Sequence, residues 1–352
     1  MKLVLIGDGQ SPHLLKWARA LAPEVELWAA SSRGFLPGFD SLLPASRRFA
    51  MNSQPDHGGG NLVLLKHLPA LGSWLAKVDA DWLHAHYLTS HGSLAWAAKR
   101  LWRLRARIIG SAWGSDILVT PERNWFYRQL TRRVLRACAI CTSDSLHMTA
   151  RMQSLGAAEV MTFPLGLEAL PAPAGIKQPW RFFANRGLEP IYRPEWVIEA
   201  FAAVAAWHPE AQLVVANEGS LLAALQDQVR VLGLAGRVSF VGRLDADRQA
   251  EQYELACWYL SLPASDSVAV SVLEAMAHGC VPLLSDLPAN HELLSEPGRG
   301  LIVEPADLAR LPARLEAFDV KAAAAANRDW VAAHGLFAPA VKRFLARLKE
   351  LD

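Results

Sequence analysis

Apolar and polar positions along this chain follow two periods that keep alternating. Short apolar runs at Lys2–Ile6, Val25–Ala29, Asp81–His84, Arg107–Ser111 and Ala139–Thr142 read as buried strands, because a strand covered on both faces has no polar side to show. Between them lie longer stretches with apolar residues at helical spacing, including one that carries Trp17 and Leu21 and one over Asn61–Val78. Beyond residue 180 the alternation restarts. Strands near Arg181–Ala184, Gln212–Ala216, Val238–Val241, Trp258–Leu262 and Val281–Ser285 alternate with helices over Pro194–Trp207, Leu221–Leu232, Arg248–Ala256 and Val270–His278. Helical patterns over Ala322–Ala333 and Ala338–Leu351 follow. This order predicts an α/β protein of doubly wound parallel sheets covered on both faces.

The stretch Phe163–Trp180 interrupts the pattern with four prolines and two glycines and reads as a linker. A chain of 352 residues suits two domains. The expected division is residues 1–166, a linker over 167–179, a second domain over 180–330, and a terminal helix within 331–352 that can cross back to the first domain. Doubly wound domains place ligands at the carboxyl ends of their strands. Were those ends to face each other, a central cleft would take a donor in one half and an acceptor in the other.

Composition narrows the picture. With 52% hydrophobic and 20% charged residues the chain has material for two cores, and a net charge of +2 gives no reason to expect a nucleic-acid partner. The charge is uneven, however. Ten Lys/Arg and two acids fall between Lys99 and Arg136, interleaved with Trp96, Trp102, Trp125, Phe126 and Tyr127. That mixture suits an anionic membrane surface, or equally two solvated helix faces with tryptophans turned inward. The opening run is too short for a signal peptide, and no uncharged run of 18 apolar residues marks a membrane span. Cys138 and Cys141 form a C-x-x-C inside an apolar run, and no second pair completes a zinc set. The expected location is cytoplasmic, with peripheral contact at the inner membrane face if the basic stretch is a membrane surface.

The strongest chemical signal is the run Ser265-Asp266-Ser267-Val268 through Glu274-Ala275-Met276-Ala277-His278-Gly279, which follows a strand and opens a helix. If Asp266 and Glu274 belong to one helix, their eight-residue spacing separates them by about 12 Å on nearly the same side. That suits a ligand whose ribose and sugar are joined by a pyrophosphate: Glu274 on ribose hydroxyls, Asp266 at the sugar, and the first-turn amides near Ser267 and Val268 on the phosphates. Otherwise Asp266 is an N-cap and Glu274 a solvated residue.

This run resembles the signature of the retaining GT-B glycosyltransferases of family four, as do Pro282–Glu292 and Gly300–Asp307. Asp266 stands where that family usually has Glu. The resemblance implies two Rossmann-like domains and a nucleotide-sugar donor, UDP- or GDP-linked, with no other cofactor. It also implies further site residues. Arg186, in Asn185-Arg186-Gly187, falls where the family neutralises the departing diphosphate. The companion Lys is absent, and Tyr192 or Arg193 occupies its place. Gly219 lies in the strand-to-helix turn near the nucleotide, and Gly242 and Arg243 lie in the segment that holds the base. His86, taken as one step beyond its strand, is expected against the donor sugar. Trp113-Gly114-Ser115-Asp116 stands at the family's H-G-S-D, which puts Trp113 and Asp116 on the acceptor side together with Gln10. Gly9 replaces part of a Gly-Gly turn, with amides expected to face donor phosphate or acceptor.

The triplets Asp79-Ala80-Asp81 and Asp245-Ala246-Asp247 have the metal-binding spacing of some transferases. Their places before a strand and at a helix start read as structural, so no metal is expected. The expected function is therefore a retaining, metal-independent hexosyltransferase acting on a sugar or lipid-linked acceptor in cell-surface polysaccharide or glycoconjugate assembly. The alternatives are a retired scaffold that binds a partner transferase and a sugar-nucleotide epimerase. An NAD dehydrogenase does not fit, because the first loop lacks G-x-G-x-x-G.

Overall fold

The computed structural model describes residues 1–53, 62–173 and 175–351. Asn61, where the sequence pattern begins its second helix, lies outside them. Two compact units result, one of Met1–Phe163 with Ala338–Asp352 and one of Pro164–Phe337.

In the first unit the strands are β1 (Lys2–Gly7), β2 (Glu26–Ser31), β3 (Arg48–Ala50), β4 (Trp82–His86), β5 (Arg107–Ser111), β6 (Cys138–Ser143) and β7 (Val160–Thr162). They pair in parallel in the order β3-β2-β1-β4-β5-β6-β7. The order reverses between β1 and β4, which is where doubly wound sheets bind ligands. Their carboxyl ends come close: a Cβ on Gly7 would lie 3.4 Å from the His86 Cβ and 2.8 Å from Leu14. The helices are α1 (Pro12–Leu21), α2 (Leu68–Val78), α3 (Ser93–Trp102), α4 (Ser115–Leu118), α5 (Trp125–Ala137) and α6 (Leu146–Leu155). Their starts follow from capping chemistry. Ser11, Asn124 and Ser145 accept the N–H of His13, Tyr127 and Met148, and Pro12 occupies the first turn of α1.

The second unit repeats the plan with β8 (Gln178–Ala184), β9 (Gln212–Ala216), β10 (Val238–Gly242), β11 (Ala256–Ser261), β12 (Val281–Leu284) and β13 (Leu301–Ile302), again parallel, in the order β10-β9-β8-β11-β12-β13. Its switch point lies between β8 and β11. Helices α7 (Pro194–Ala205), α8 (Leu222–Val231), α9 (Ala246–Leu255), α10 (Val270–Ala277), α11 (Pro288–Leu293), α12 (Leu311–Glu316) and α13 (Val320–His334) cover the two faces. Cores form on both faces, one around Phe182, Phe201 and Trp258 and the other around Tyr253, Tyr259 and Met276.

Residues 167–173 and 175–179 are not a free tether. The Leu167 N–H donates to Gly335 O at 2.7 Å, and the Phe337 N–H donates to Leu167 O at 2.9 Å. The Arg328 guanidinium caps the Pro171 carbonyl, and Lys177 Nζ donates to Tyr253 O and Ala256 O. Proline removes regular structure here without removing contacts, so the stretch packs as part of the second unit. The last helix, α14 (Phe337–Leu351), begins six residues later than residue 331 and belongs almost wholly to the first unit. Its Phe344 ring lies 5.3 Å from Trp17 and 5.4 Å from His84, and Arg347 holds Glu159 with two hydrogen bonds.

Candidate active site

At the end of β8, the Arg186 guanidinium meets Asp266 Oδ2 with Nη2 at 2.5 Å and Ser271 Oγ with Nη1 at 3.3 Å, and lies over the Tyr192 ring at 4.5 Å. Burial works against the Arg186 charge, yet Asp266 foremost raises its pKa above the ordinary value. Burial raises the Asp266 carboxyl in turn, opposed by Arg186 and by the Ser267 N–H, which donates to Oδ1 at 2.9 Å. The helical spacing expected for Asp266 and Glu274 is not found. Helix α10 begins at Val270, with Ala269 as N-cap, so Asp266 sits in the preceding loop and is not an N-cap. Residues 265–269 are mostly small and polar, a composition that favours loop over helix. Ala269 offers no side-chain acceptor, so the start of α10 keeps its positive dipole end uncapped by a side chain. The expected amide of Ser267 is committed to Asp266, and Val268 packs partly into the core.

Glu274, on α10, is held from behind. Its Oε2 accepts the Tyr253 hydroxyl at 3.0 Å and Gln249 Nε2 at 3.1 Å. Tyr253 in turn accepts Asn185 Nδ2 at 2.8 Å, and Asn185 Oδ1 accepts the Tyr259 hydroxyl at 2.6 Å. Burial, with Tyr259 and Glu274 nearby, raises the Tyr253 phenol well above its ordinary value, so it stays protonated and donates. Buried tyrosine hydroxyls require partners, but nothing in the sequence shows that these ones converge on Glu274.

The turn after β9 is stitched to the loop after β8. The Leu188 N–H donates to Glu218 O, the Leu221 N–H to Leu188 O, and Glu189 accepts both the N–H and the hydroxyl of Ser220. Gly219 is required by close approach, since a Cβ there would lie 2.3 Å from Leu188 O. Gly242, at φ +68°, accepts the Asn217 N–H on its carbonyl. Arg243 is 76% exposed, 3.6 Å from Glu218. Of the two residues at the missing Lys position, Tyr192 touches Arg186, whereas Arg193 lies over Trp196 at 4.7 Å and is the left-handed N-cap of α7.

In the first unit, His86 is the last residue of β4, paired with Ser111, and 1% exposed. It does not stand beyond the strand. Its Nδ1 accepts the Trp113 indole N–H at 3.2 Å, and its Nε2 has no partner among the described residues. Burial, reinforced by His84, His91 and His13, pushes its pKa well below the ordinary value. His84 is buried as well, bonded through Nε2 to Ser111 Oγ at 2.7 Å. Asp116 is fully buried, with Oδ2 on the Leu88 N–H and Oδ1 on the Trp113 N–H. Both of its oxygens are taken by backbone N–H groups, so Asp116 is a clamp between the loops after β4 and β5. The amides of Gly9 and Gln10, in the turn expected to face donor phosphate or acceptor, are used internally, on Ser31 Oγ at the end of β2 and on Asp8 Oδ1, at 2.8 and 3.0 Å.

Both Asp-x-Asp triplets serve the backbone. Asp79 is the left-handed C-cap of α2, Asp81 accepts the Lys2 N–H, and Asp245 caps α9 through the Arg248 N–H. Cys138, Cys141, Cys257 and Cys280 are free and buried.

Two doubly wound parallel units, the second with a cation, a braced acid and an uncapped helix start at its strand ends, define a GT-B architecture. Residues 2–145 match the family model glycosyl transferase 4-like, residues 173–318 match glycosyl transferases group 1, and the chain belongs to this glycosyltransferase family. It is 24% identical over 258 residues to N-acetyl-alpha-D-glucosaminyl L-malate synthase of Bacillus anthracis, covering 68% of this chain. It is 26% identical over 267 residues to GDP-mannose:cellobiosyl-diphosphopolyprenol alpha-mannosyltransferase of Komagataeibacter xylinus, covering 73% of this chain. Each match spans 66% of the relative's own length. The fold is similar to Anabaena HepE in complex with UDP and glucose (TM-score 0.75, 16% identity, 99% of both chains). It is also similar to sucrose-phosphate synthase of Thermosynechococcus elongatus (TM-score 0.78, 15% identity, 100% of both chains).

Proposed function

We propose that the protein is a retaining glycosyltransferase that moves a hexose-type sugar from a UDP- or GDP-sugar to an acceptor hydroxyl, without a metal, in cell-surface polysaccharide or glycoconjugate assembly. The observation that carries this reading is the arrangement of Arg186 and Asp266 beside the start of α10, one helix with the braced Glu274. Glu274 accepts ribose hydroxyls. Arg186 and the dipole end of α10 stabilise the departing diphosphate, which is where charge develops in the transition state. His86 and Asp266 orient the sugar, and the departing diphosphate oxygen takes the acceptor proton. The relatives support a nucleotide-sugar donor, and the mannosyltransferase name supports a lipid-linked acceptor.

A lipid-linked acceptor fits the surface of α5. Trp125 is 73% exposed and Phe126 53%, beside exposed Arg123, Arg128, Arg133 and Arg136. No helix among the described residues is long and apolar enough to cross a membrane. We therefore propose peripheral binding to anionic lipid through α5. Sedimentation with anionic vesicles checks this: binding at low salt that Trp125→Ala/Phe126→Ala abolishes is expected, and no binding at low salt overturns it.

The donor site is tested by thermal shift with UDP, GDP, ADP and TDP in the presence of a chelator. A ligand at 100 times its Kd stabilises by about 2.7 kcal/mol. A shift with UDP or GDP, absent in Glu274→Ala, is expected. No shift with any diphosphate overturns the donor site and favours a retired scaffold.

A further inference from the structure

We infer that Trp113 is a positioning residue that locks His86 into the tautomer with its proton on Nε2, so that the site presents the transferred sugar with a fixed N–H donor and not with a base. This rests on the reading of His86 as the residue that meets the donor sugar.

The geometry leaves one arrangement. An indole nitrogen can only donate, and that of Trp113 lies 3.2 Å from His86 Nδ1. Nδ1 therefore accepts with its lone pair. A neutral imidazole has one ring proton, and it must then reside on Nε2. Neutrality follows from the surroundings: the residue is 1% exposed, with His84, Trp17 and Trp113 around its ring and, among the described residues, no carboxylate hydrogen-bonded to it. Nε2 is buried and finds no partner among the described residues. Buried donors are seldom left unpaired, and at the carboxyl end of a switch-point strand the natural partner is an oxygen of the ligand.

Trp113 is itself held. Its backbone N–H donates to Asp116 Oδ1 at 2.9 Å, and the other Asp116 oxygen takes the Leu88 N–H, so one buried carboxylate ties together the segments that follow His86 and contain Trp113. The His13 ring packs edge-on against the indole at 5.1 Å. Gly114, at φ +106°, turns the chain immediately afterwards. A histidine at position 113 could offer either a donor or an acceptor to His86 and would titrate. An indole can only donate and does not titrate, so this chain replaces an adjustable partner with a fixed one.

The test uses the full-length protein with 15N-histidine and long-range 1H–15N spectra, with His86 assigned by difference from His86→Asn. In the wild type, a pyridine-like Nδ1 and a pyrrole-like Nε2 are expected. Trp113→Phe keeps the aromatic packing and removes the N–H, so it is expected to mix the tautomers and lower kcat/KM about tenfold. Trp113→His, which restores a ring N–H, recovers part of both. A wild-type spectrum with the proton on Nδ1 overturns the inference without recourse to any variant. Unchanged His86 nitrogens in Trp113→Phe overturn it whatever the activity. Tautomer changes as expected, with wild-type kinetics in both Trp113→Phe and His86→Asn, overturn the sugar contact and with it the functional half of the inference, while nucleotide binding through Glu274 is judged separately by thermal shift.

Discussion

Arg186 Nη2 and Asp266 Oδ2 lie 2.5 Å apart, with side chains only 18% and 20% exposed. The pair joins the end of β8 to the loop before α10, two segments 80 positions apart in the chain. Each partner justifies the other's burial, and breaking a buried pair from one side leaves an uncompensated charge. Arg186→Ala is therefore expected to lower both the melting temperature and turnover, the latter about 100-fold in kcat/KM, or about 2.7 kcal/mol. Arg186→Lys, a single point charge without the planar fork, is expected in between. Steady-state kinetics with the nucleotide sugar, read beside thermal melts, checks this, and wild-type kcat/KM in Arg186→Ala contradicts it.

Glu274 is useful to a ribose only if it stays where Tyr253 and Gln249 hold it. Tyr253→Phe removes a hydroxyl that donates to Glu274 and accepts from Asn185, leaving a buried amide donor unpaired. Such a group costs about 1–3 kcal/mol, so a lower melting temperature is expected. KM for the nucleotide sugar should rise about tenfold with kcat nearly unchanged, the pattern of lost uniform binding. Glu274→Ala should raise KM further. An equal fall in kcat and kcat/KM for Tyr253→Phe would place the network in the chemical step instead.

Acid lability follows from the histidines of the first unit. Burial pushes His84 down to about 3 and His91 to about 4. Their unfolded forms take up protons first as the pH falls below 6.5, so the stability they contribute is present above 6.5 and is lost on acidification. Asp116 has the opposite sign: burial raises it to about 6, so its contribution is present at low pH and lost as the pH rises through 6. With His86 and His278 also depressed and the Asp266 carboxyl also raised by burial, four histidines oppose two carboxyls. The melting temperature is expected to fall between pH 6.5 and 4.5, and His91→Asn is expected to flatten that fall by about 2 kcal/mol at the acid end. Circular-dichroism melts across this range check both sign and size.

The parts of the fold legible in the sequence are those with a period to read. Strands such as β11, buried at all six positions, stand out as apolar runs, whereas β3 and β7 at three residues and β13 at two are too short for any period. Alternation also fails to separate His84 from His86, because residues two apart on a strand share a face, and here both are buried. Arg186 and Glu274 were singled out by the motifs that resemble the glycosyltransferase family. Their supports were not: Asn185 and Tyr253 are 68 positions apart, and hydrogen bonds at that range leave no local pattern. The same holds for Asp116, whose buried place depends on amides from two separate loops.

Two glycines at the carboxyl ends of β9 and β10 separate steric from conformational demand. At Gly242 a Cβ would meet nothing within 4 Å, and the only objection to alanine is φ +68°. Left-handed backbone costs an L-residue about 1–2 kcal/mol, so Gly242→Ala is expected to lose about that much stability. At Gly219 the dihedral is not the obstacle. A Cβ would sit 2.3 Å from Leu188 O, a backbone atom that also accepts the Leu221 N–H. Relieving that overlap means parting the turn after β9 from the loop that carries Arg186. Gly219→Ala is therefore expected to cost more than Gly242→Ala in denaturant midpoint and also to weaken diphosphate binding at least tenfold. Equal stability losses, with diphosphate binding intact in both, would show that the two loops move independently and that the stitching at Leu188 does not hold Arg186 in place.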